Sequence, residues 1–437
     1  MLDKDGAPLQ PTTPARARKL LKAGRAVVHR HTPFVIRLKD RTADQSQVDG
    51  AELGIDPGSK HTGIAIFTMT RGIRCGLYAI DLTHRGSVIR DKLAQRAAYR
   101  RGRRSRNLRY RAPRFNNRRR PEGWLAPSLR HRVDTVMSWV HRLARWAPVR
   151  GVHMERVAFD THALTAGRPL EGVEYQHGTL AGHEVREYLL AKWRRACAYC
   201  GANNVPLNID HIQPRSRGGS DRVSNLVLAC IPCNQAKSNR PIEDFLRRDP
   251  KRLATILAQA KAPLRDAAAV NATRWALWRA LATAFPGQIR TASGARTKWN
   301  RTRAGLPKTH TLDALCVGWL ESISAYPATV LAVTATGRGT YTRTRTDAYG
   351  FPRLRLPRQK TFFGYQTGDL ARAAIPAGKK QGTYIGRIAV RATGSFNIRT
   401  RHGLVQGLGH KHFRLLQRAD GYGYTTRKEG CSISSPV

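Results

Sequence analysis

The chain has 437 residues, of which 41% are hydrophobic, enough to bury the cores of two to four domains. Lys and Arg number 77 against 29 Asp and Glu, a formal net charge of +48, and self-repulsion on that scale disfavours a compact free protein unless a polyanion, of which nucleic acid is the foremost example, offsets it. No apolar run approaches a membrane span, and Met1-Leu-Asp-Lys-Asp lacks a charged-then-apolar signal pattern, so a cytoplasmic protein with no membrane partner is expected.

Residues 1–50 read as a small basic segment. A short helix from Ala15 ends at Gly24, and Ala26-Val-Val and Phe34-Val-Ile-Arg-Leu read as strands. Residues 51–84 read as hairpin material: a strand ending at Asp56, the turn Pro57-Gly-Ser-Lys-His-Thr-Gly63, a returning strand and a third strand over Cys75–Asp81. The character changes over 85–120, where fifteen of 36 residues are Arg or Lys and Asp91 is the one acid. Arg96, Arg100, Arg103, Arg104 and Arg111 fall at near-helical spacing, and a helix this basic needs anions nearby; the competing reading is a disordered basic linker.

Between 126 and 190 the periodicity predicts a helix over Leu129–Trp146, a strand over Val152–Val157 and a helix over Leu180–Trp193. A compact module with paired cysteines occupies 191–248, helices return over 249–322, and beyond about 325 alternating β-branched and aromatic residues with Gly turns predict a small β-barrel or sandwich.

Of seven cysteines, Cys75, Cys316 and Cys431 are isolated. Cys197-Ala-Tyr-Cys200 and Cys230-Ile-Pro-Cys233 form two knuckles 29 residues apart, compatible with one structural tetrahedral Zn2+ in a reducing compartment. With four thiolates filling the coordination positions, chemistry must come from elsewhere. Asn208-Ile-Asp210-His211-Ile sets a carboxylate beside an imidazole at a strand end; Asn225 comes fourteen residues after His211 and Asn234 nine later. A one-metal phosphodiesterase needs a general base for water and hard oxygen ligands for Mg2+. His211 suits the base, Asp210 and Asn234 suit the metal, and Asn225 suits a scaffold role for the loop that presents His211. The whole run, Cys-x-x-Cys, Asp-His, Asn, Cys-x-x-Cys-Asn-x-x-Lys, resembles the HNH (ββα-metal) nuclease family, with Asn234 where that family often has His.

A second constellation is dispersed. Asp56 ends an apolar strand, Glu155 lies in a strand, and His310 and Asp313 share one side of a helix with Thr309 as N-cap. Two-metal hydrolysis needs several hard oxygen ligands gathered around two Mg2+ (or Mn2+) ions, and His310 suits orienting water or holding a metal. In this order Asp56, Glu155 and Asp313 resemble motifs I, II and III of the RuvC group of the RNase H-like superfamily. Pro8-Leu-Gln-Pro-Thr-Thr-Pro resembles the PLMP segment of IscB proteins, with Gln10 at the third letter.

The complete order resembles the IscB family, transposon-encoded relatives of type II CRISPR effectors. The resemblance implies an α/β multidomain chain: a PLMP-like domain (1–50), RuvC-I (51–84), an Arg-rich bridge helix (85–125), RuvC-II (126–190), an inserted zinc-containing HNH domain (191–248), RuvC-III (249–322) and a C-terminal β-barrel-like domain (323–437). It implies a monomeric ribonucleoprotein in a prokaryotic cytoplasm, nucleoid-associated when on its target. An ωRNA guide and target duplex DNA are the implied partners, with HNH cutting the guide-paired strand and RuvC the displaced one. The C-terminal domain would contact RNA and a short target-adjacent motif. Arg96, Arg100, Arg101, Arg103, Arg104, Arg106, Arg109 and Arg111 would grip the guide backbone. Two other readings stay open: a structure-selective DNA resolvase that needs no RNA, and an RNA-binding protein whose nuclease residues are vestigial.

Overall fold

Strands in this chain are written as near-continuous apolar runs interrupted by glycine, and the structure shows where those glycines go. A computed structural model describes residues 1–106, 124–156, 186, 189–190, 192–220, 223–261, 267–337, 344–355 and 359–429. The chain divides into two compact units, one of residues 1–155 with 280–437 and one of residues 156–279.

The first unit begins with helix α1 (Pro14–Lys22), started by Pro14 and by Thr13, whose hydroxyl accepts from the Arg16 amide. Strands β1 (Ala26–Arg30) and β2 (Val35–Leu38) pair antiparallel, and Leu9, Ala17, Ala26, Ile36 and Leu38 close a small core between them and α1. Strands β3 (Ala51–Pro57), β4 (His61–Thr70) and β5 (Ile73–Thr83) form an antiparallel meander. Leu53, Ile55, Ile64, Phe67, Ile80 and Leu82 are fully buried, the pattern of a sheet covered on both faces.

Helix α2 (Gly86–Ser105) covers the described part of the Arg-rich segment and is exposed along nearly its whole length; Arg109 and Arg111 lie outside the described residues. Helix α3 (Pro127–Trp146) buries Val133, Val136, Trp139, Val140 and Leu143, one amphipathic stripe. It leads to β6 (Val149–Glu155), parallel to β3.

The second unit holds the hairpin β7 (Leu207–His211) and β8 (Leu226–Cys230), then the short helices α4 (Ile231–Lys237) and α5 (Ile242–Phe245) and helix α6 (Pro250–Lys261). Its core gathers Trp193, Tyr199, Leu207, Val227, Leu228, Ile242 and Ile256. The helix expected over Leu180–Trp193 falls largely outside the described residues. Helix α7 (Ala267–Ala284) precedes β9 (Ile289–Ala292), which pairs parallel with β6.

Helices α8 (Gly294–Arg303) and α9 (His310–Leu315) come after it, then β10 (Ser322–Ala325) and β11 (Thr329–Ala335). Two short ribbons come next, β12 (Thr344–Thr346) with β13 (Pro352–Arg355) and β14 (Thr361–Phe362) with β15 (Tyr365–Gln366). The remaining strands are β16 (Leu370–Ile375), β17 (Gly382–Ala389), β18 (Ser395–Thr400), β19 (Gly403–Gly409), β20 (Phe413–Gln417) and β21 (Tyr422–Lys428). The central sheet runs β21-β11-β5-β4-β3-β6-β9, with β10 also beside β5.

The C-terminal region differs from a barrel or sandwich of its own. Five strands form an antiparallel sheet in the order β19-β18-β17-β16-β20, with no β19–β20 pairing to close it among the described residues. Meanwhile β10, β11 and β21 leave that region for the central sheet, β11 pairing parallel with β5 and antiparallel with β21. Alternation in sequence marks a strand, but long-range pairing decides which sheet takes it.

Helix α9 lies against the meander because two glycines make room. A Cβ on Gly63 would stand 1.8 Å from the His310 carbonyl oxygen, and one on Gly54 would stand 1.9 Å from that of Ala314. Gly63→Ala therefore has to displace α9, and we expect it to destabilise the first unit by at least the roughly 1–3 kcal/mol of core overpacking. Gly102→Ala, on the exposed face of α2 with open space around it, should instead stabilise by about 0.4–1 kcal/mol. Thermal unfolding of the two variants checks this, and equal midpoints would refute the close seat of α9.

In the second unit, the four Sγ atoms of Cys197, Cys200, Cys230 and Cys233 all lie within 4.8 Å of one another, with Cys200 and Cys230 3.7 Å apart. Tetrahedral zinc with bonds of about 2.3 Å needs sulfurs about 3.8 Å apart, so the cluster fits that ion. Burial opposes ionisation of the Cys197 thiol, but amides of Cys230, Cys200 and Tyr199 bring it down to about 7. Removing zinc with a chelator, or Cys230→Ser, should unfold the second unit, because the energy of metal binding contributes directly to its folding. Zinc content with limited proteolysis reads this out; a chelated protein whose second unit stayed protease-resistant would show that the cluster is dispensable.

Candidate nuclease centres

Four positions line up across the central sheet. Asp56 on β3 pairs with Gly63 on β4, and Gly63 pairs with Asp81 on β5. On the other side Ile55 pairs with Met154, so the next residues, Asp56 and Glu155, end neighbouring parallel strands. Paired positions share a face of the sheet, so Asp81, Asp56 and Glu155 present carboxyl groups on one face, with a bare glycine between the first two. Over that glycine sits the start of α9.

Thr309 caps α9, its hydroxyl accepting from the Leu312 amide. Both Thr309 and Thr311 hydroxyls also donate to Glu429, at 2.9 and 2.7 Å, so the residue just after β21 holds the start of the helix. His310 Nδ1 is 2.5 Å from Asp56 Oδ2. Burial lowers the affinity of His310 for a proton, but the Asp56 hydrogen bond, with the charges of Asp56, Asp81 and Asp313, holds its pKa above the ordinary value. Burial and then the nearby Asp56 charge raise Asp313, against the pull of Arg301, whose Nε is 2.7 Å from Asp313 Oδ1. Glu155 borders the start of α8: a Cβ on Gly294 would lie 3.0 Å from Glu155 Oε1. The structure thus brings Asp56, Glu155, His310 and Asp313 onto adjoining elements. Their oxygens are of the type that takes a hard divalent cation such as Mg2+.

Sequence reasoning gave no role to the residues that support this centre. His61 stacks on His310 with ring centroids 6.1 Å apart, and its Nδ1 lies 3.5 Å from Asp81 Oδ1. Arg427 holds the other Asp81 oxygen at 2.9 Å. Asp81 is half of a visible signal, an acid ending an apolar strand like Asp56; Arg301, Arg427 and Glu429 carried none, because contacts over tens to hundreds of residues create their roles.

The second unit holds the other set. Asp210 ends β7 in a buried site, where Tyr199 Oη donates to Oδ2 at 2.6 Å and the His211 amide donates to Oδ1 at 2.8 Å. Lys237, wholly buried, stands 3.3 Å from Oδ2 and donates to the His211 carbonyl at 2.7 Å. Burial, then the Asp210 charge, pushes the Tyr199 phenol up, which keeps it a donor. The backbone at His211 is therefore tied on both sides. Asn225 fixes the loop that leaves β7: its Oδ1 accepts from the Gln213 amide at 2.8 Å, and its Nδ2 donates to the carbonyls of Gln213 and Ser220 at 3.0 and 2.8 Å. Asn234 lies half-buried on α4, one residue beyond Cys233, so the cysteine cluster fixes the helix that carries it. Lys237 closes the Cys-Asn-x-x-Lys run, but its partner Asp210 is 27 residues away and was not legible. Each Asp210 oxygen retains acceptor capacity beyond these bonds.

On α2, Arg96, Arg100 and Arg101 are exposed, as is Arg104. Arg103 bonds the Gly350 carbonyl, and Arg106 lies over the rings of Tyr349 and Phe351, 5.5 and 4.2 Å from their centroids. Among the described residues no helix is long and apolar enough to cross a membrane.

Comparison with known proteins gives two family matches: residues 1–178 match the RRXRR protein family, and residues 197–240 match the HNH endonuclease family. No curated protein matches. Among solved structures, the Type II-C Cas9 enzyme of Actinomyces naeslundii is similar at 14% identity and a TM-score of 0.24, over 62% of this chain and 60% of that one. Streptococcus thermophilus Cas9 in complex with the AGAA PAM is similar at 16% identity and a TM-score of 0.22, over 60% of this chain and 32% of that one. The stretch that holds Asp210, His211, Asn225, Asn234 and the four cysteines is the one that matches the HNH endonuclease family, and that match supports a DNA endonuclease, a hydrolase.

Proposed function

We propose that the protein is an RNA-guided DNA endonuclease of the IscB type, with a split RuvC centre in the first unit and an HNH centre in the second. The observation that carries this reading is the presence of two separate oxygen-rich centres in one chain. Asp56 and Glu155 lie on neighbouring strands, and Asp313, on the helix seated over that sheet, is within electrostatic range of Asp56, although 99 and 158 residues separate the three in sequence. The antiparallel meander β3–β5, extended beyond β3 by the parallel strands β6 and β9, supports the RNase H-like part of it. The net charge of +48 and the exposed arginines of α2 support a nucleic-acid guide held by its backbone. In this reading α2 is the bridge helix, the segment 1–50 is the PLMP-like domain, and the C-terminal sheet contacts RNA and the flanking duplex.

In the HNH centre His211 takes a proton from water, whose oxygen attacks phosphorus as the bridging P–O bond breaks. Asp210, Tyr199 and Lys237 hold the backbone at His211, and Asn225 fixes the loop after it. Asp210 and Asn234 would hold a magnesium ion, which would supply Lewis acidity at the phosphoryl oxygen. In the RuvC centre Asp56, Glu155 and Asp313 are the cation ligands. His310, oriented by Asp56, aligns water or completes the ligand set. Arg301 limits the repulsion between Asp313 and Asp56.

The test is strand-resolved cleavage of a guide-matched duplex by the purified ribonucleoprotein with Mg2+. His211→Ala should cut only the displaced strand and Asp56→Ala only the guide-paired strand, each losing its own cut by about 10²–10⁴-fold. Double-strand cutting by His211→Ala would refute the base assignment. Cutting that survives complete removal of RNA would favour an RNA-independent resolvase.

A further inference from the structure

Helix α8 has two functional faces. Its inward face buries Thr297 and Asn300, whose Nδ2 donates to the carbonyls of Cys316 and Gly318 at 2.8 and 2.7 Å. From the same helix Arg301 reaches Asp313, and Gly294 abuts Glu155. The outward face carries Arg296, Trp299 and Arg303, at spacings of three and four residues along one side.

Trp299 is 48% exposed, with the guanidinium carbons of Arg296 and Arg303 4.7 and 4.3 Å from its ring centroid. The two arginines are held differently. Arg303 donates to the carbonyls of Leu320 and Glu321 at 2.9 and 2.5 Å, so it is anchored and steadies the indole. Arg296 is exposed, and among the described residues its side chain makes no hydrogen bond or ion pair besides the ring contact. An exposed cation–π pair alone contributes little to the stability of a helix. A second exposed indole extends the feature: Trp319, 56% exposed, immediately precedes the Leu320 that Arg303 holds.

We propose that this face of α8 binds single-stranded DNA. A base stacks on Trp299 while Arg296 moves from the ring to a neighbouring phosphate, and Trp319 continues the track. A base can reach the indole only when unpaired, and stacking with flanking cations is how sequence-independent single-strand sites work. At 1.5 Å per residue, Trp299 lies about 7 Å along the helix from Gly294 and hence one or two nucleotides from the phosphate at Glu155. The proposal rests on the RuvC reading and identifies the side chains that feed its strand.

The experiment uses the full chain in a His211→Ala background, so that cutting of a labelled single-stranded oligonucleotide with Mg2+ reports the first unit. Trp299→Ala should raise KM on the order of tenfold with little change in kcat, and Trp299→Phe should restore KM towards the parent. An oligonucleotide carrying 5-iododeoxyuridine, irradiated with Ca2+ in place of Mg2+, should cross-link to Trp299. An unchanged KM in Trp299→Ala, or cross-links confined to other peptides, would overturn the proposal. Arg296→Ala, which leaves the indole in place, should also raise KM; if Trp299→Ala folds poorly, this variant and the cross-link decide. Adding Asp56→Ala to the same background separates the two ideas. If cutting survives it, the RuvC reading fails, and the cross-link still decides whether Trp299 touches the strand.

Discussion

The close seat of α9 on β3 and β4 is the contact on which the first unit's chemistry depends. Peptide oxygens of His310 and Ala314 occupy the volumes that side chains at positions 63 and 54 would fill. That approach sets His310 against Asp56 and brings Asp313 within electrostatic range of the same carboxylate. A helix standing even a side chain's width higher would separate Asp313 and His310 from Asp56. Both ends of the arrangement are secured: the glycines fix how low the helix sits, and Glu429 fixes its first turn through Thr309 and Thr311.

Clustering carboxylates is unfavourable unless something offsets their repulsion. In the first unit Arg301 serves Asp313, while Arg427 and His61 serve Asp81, which stays ionised below the ordinary carboxylate range despite burial. The second unit solves a similar problem with one buried lysine. Lys237 both faces the Asp210 carboxylate and holds the carbonyl of His211, so the charge that neutralises the acid also fixes the backbone at His211. Taking either partner from such a buried pair leaves an uncompensated charge, which is far costlier than losing an exposed ion pair.

How much of this was legible depends on the range of the interaction. Local signals were: Thr309 before His310, the apolar stripe of α3 and the Cys-x-x-Cys knuckles each act within a few residues, and the elements match them closely. Strand β9 was missed because Ile289-Arg-Thr-Ala is an edge strand with a single large apolar residue; only its pairing with β6 makes it a strand. The assignment of β10, β11 and β21 to the central sheet was invisible for the same reason. The acids Asp56, Glu155, Asp313 and Asp210 could be picked out by type and position, whereas Lys237, Arg301, Arg427 and Glu429 acquire meaning only from partners that the fold brings in.

Charge distribution joins the two scales. A chain of net charge +48 could gather a polyanion almost anywhere on its surface, and such attraction is insensitive to sequence. It does not by itself deliver a phosphodiester to a metal. Against that positive background, Asp56, Asp81, Glu155 and Asp313 gather acidic side chains in the first unit, whereas in the second unit Lys237 balances the single carboxylate of Asp210. The arginines Arg301 and Arg427 are tied inward to the first-unit acids, and neutralise them without competing for the phosphate. Arg96, Arg100 and Arg101 on α2 and Arg296 on α8 are exposed, and in the proposed reading these are the side chains that attract the backbone. In the proposed reading, the place of hydrolysis is therefore set by the few places where this strongly basic protein gathers acidic side chains.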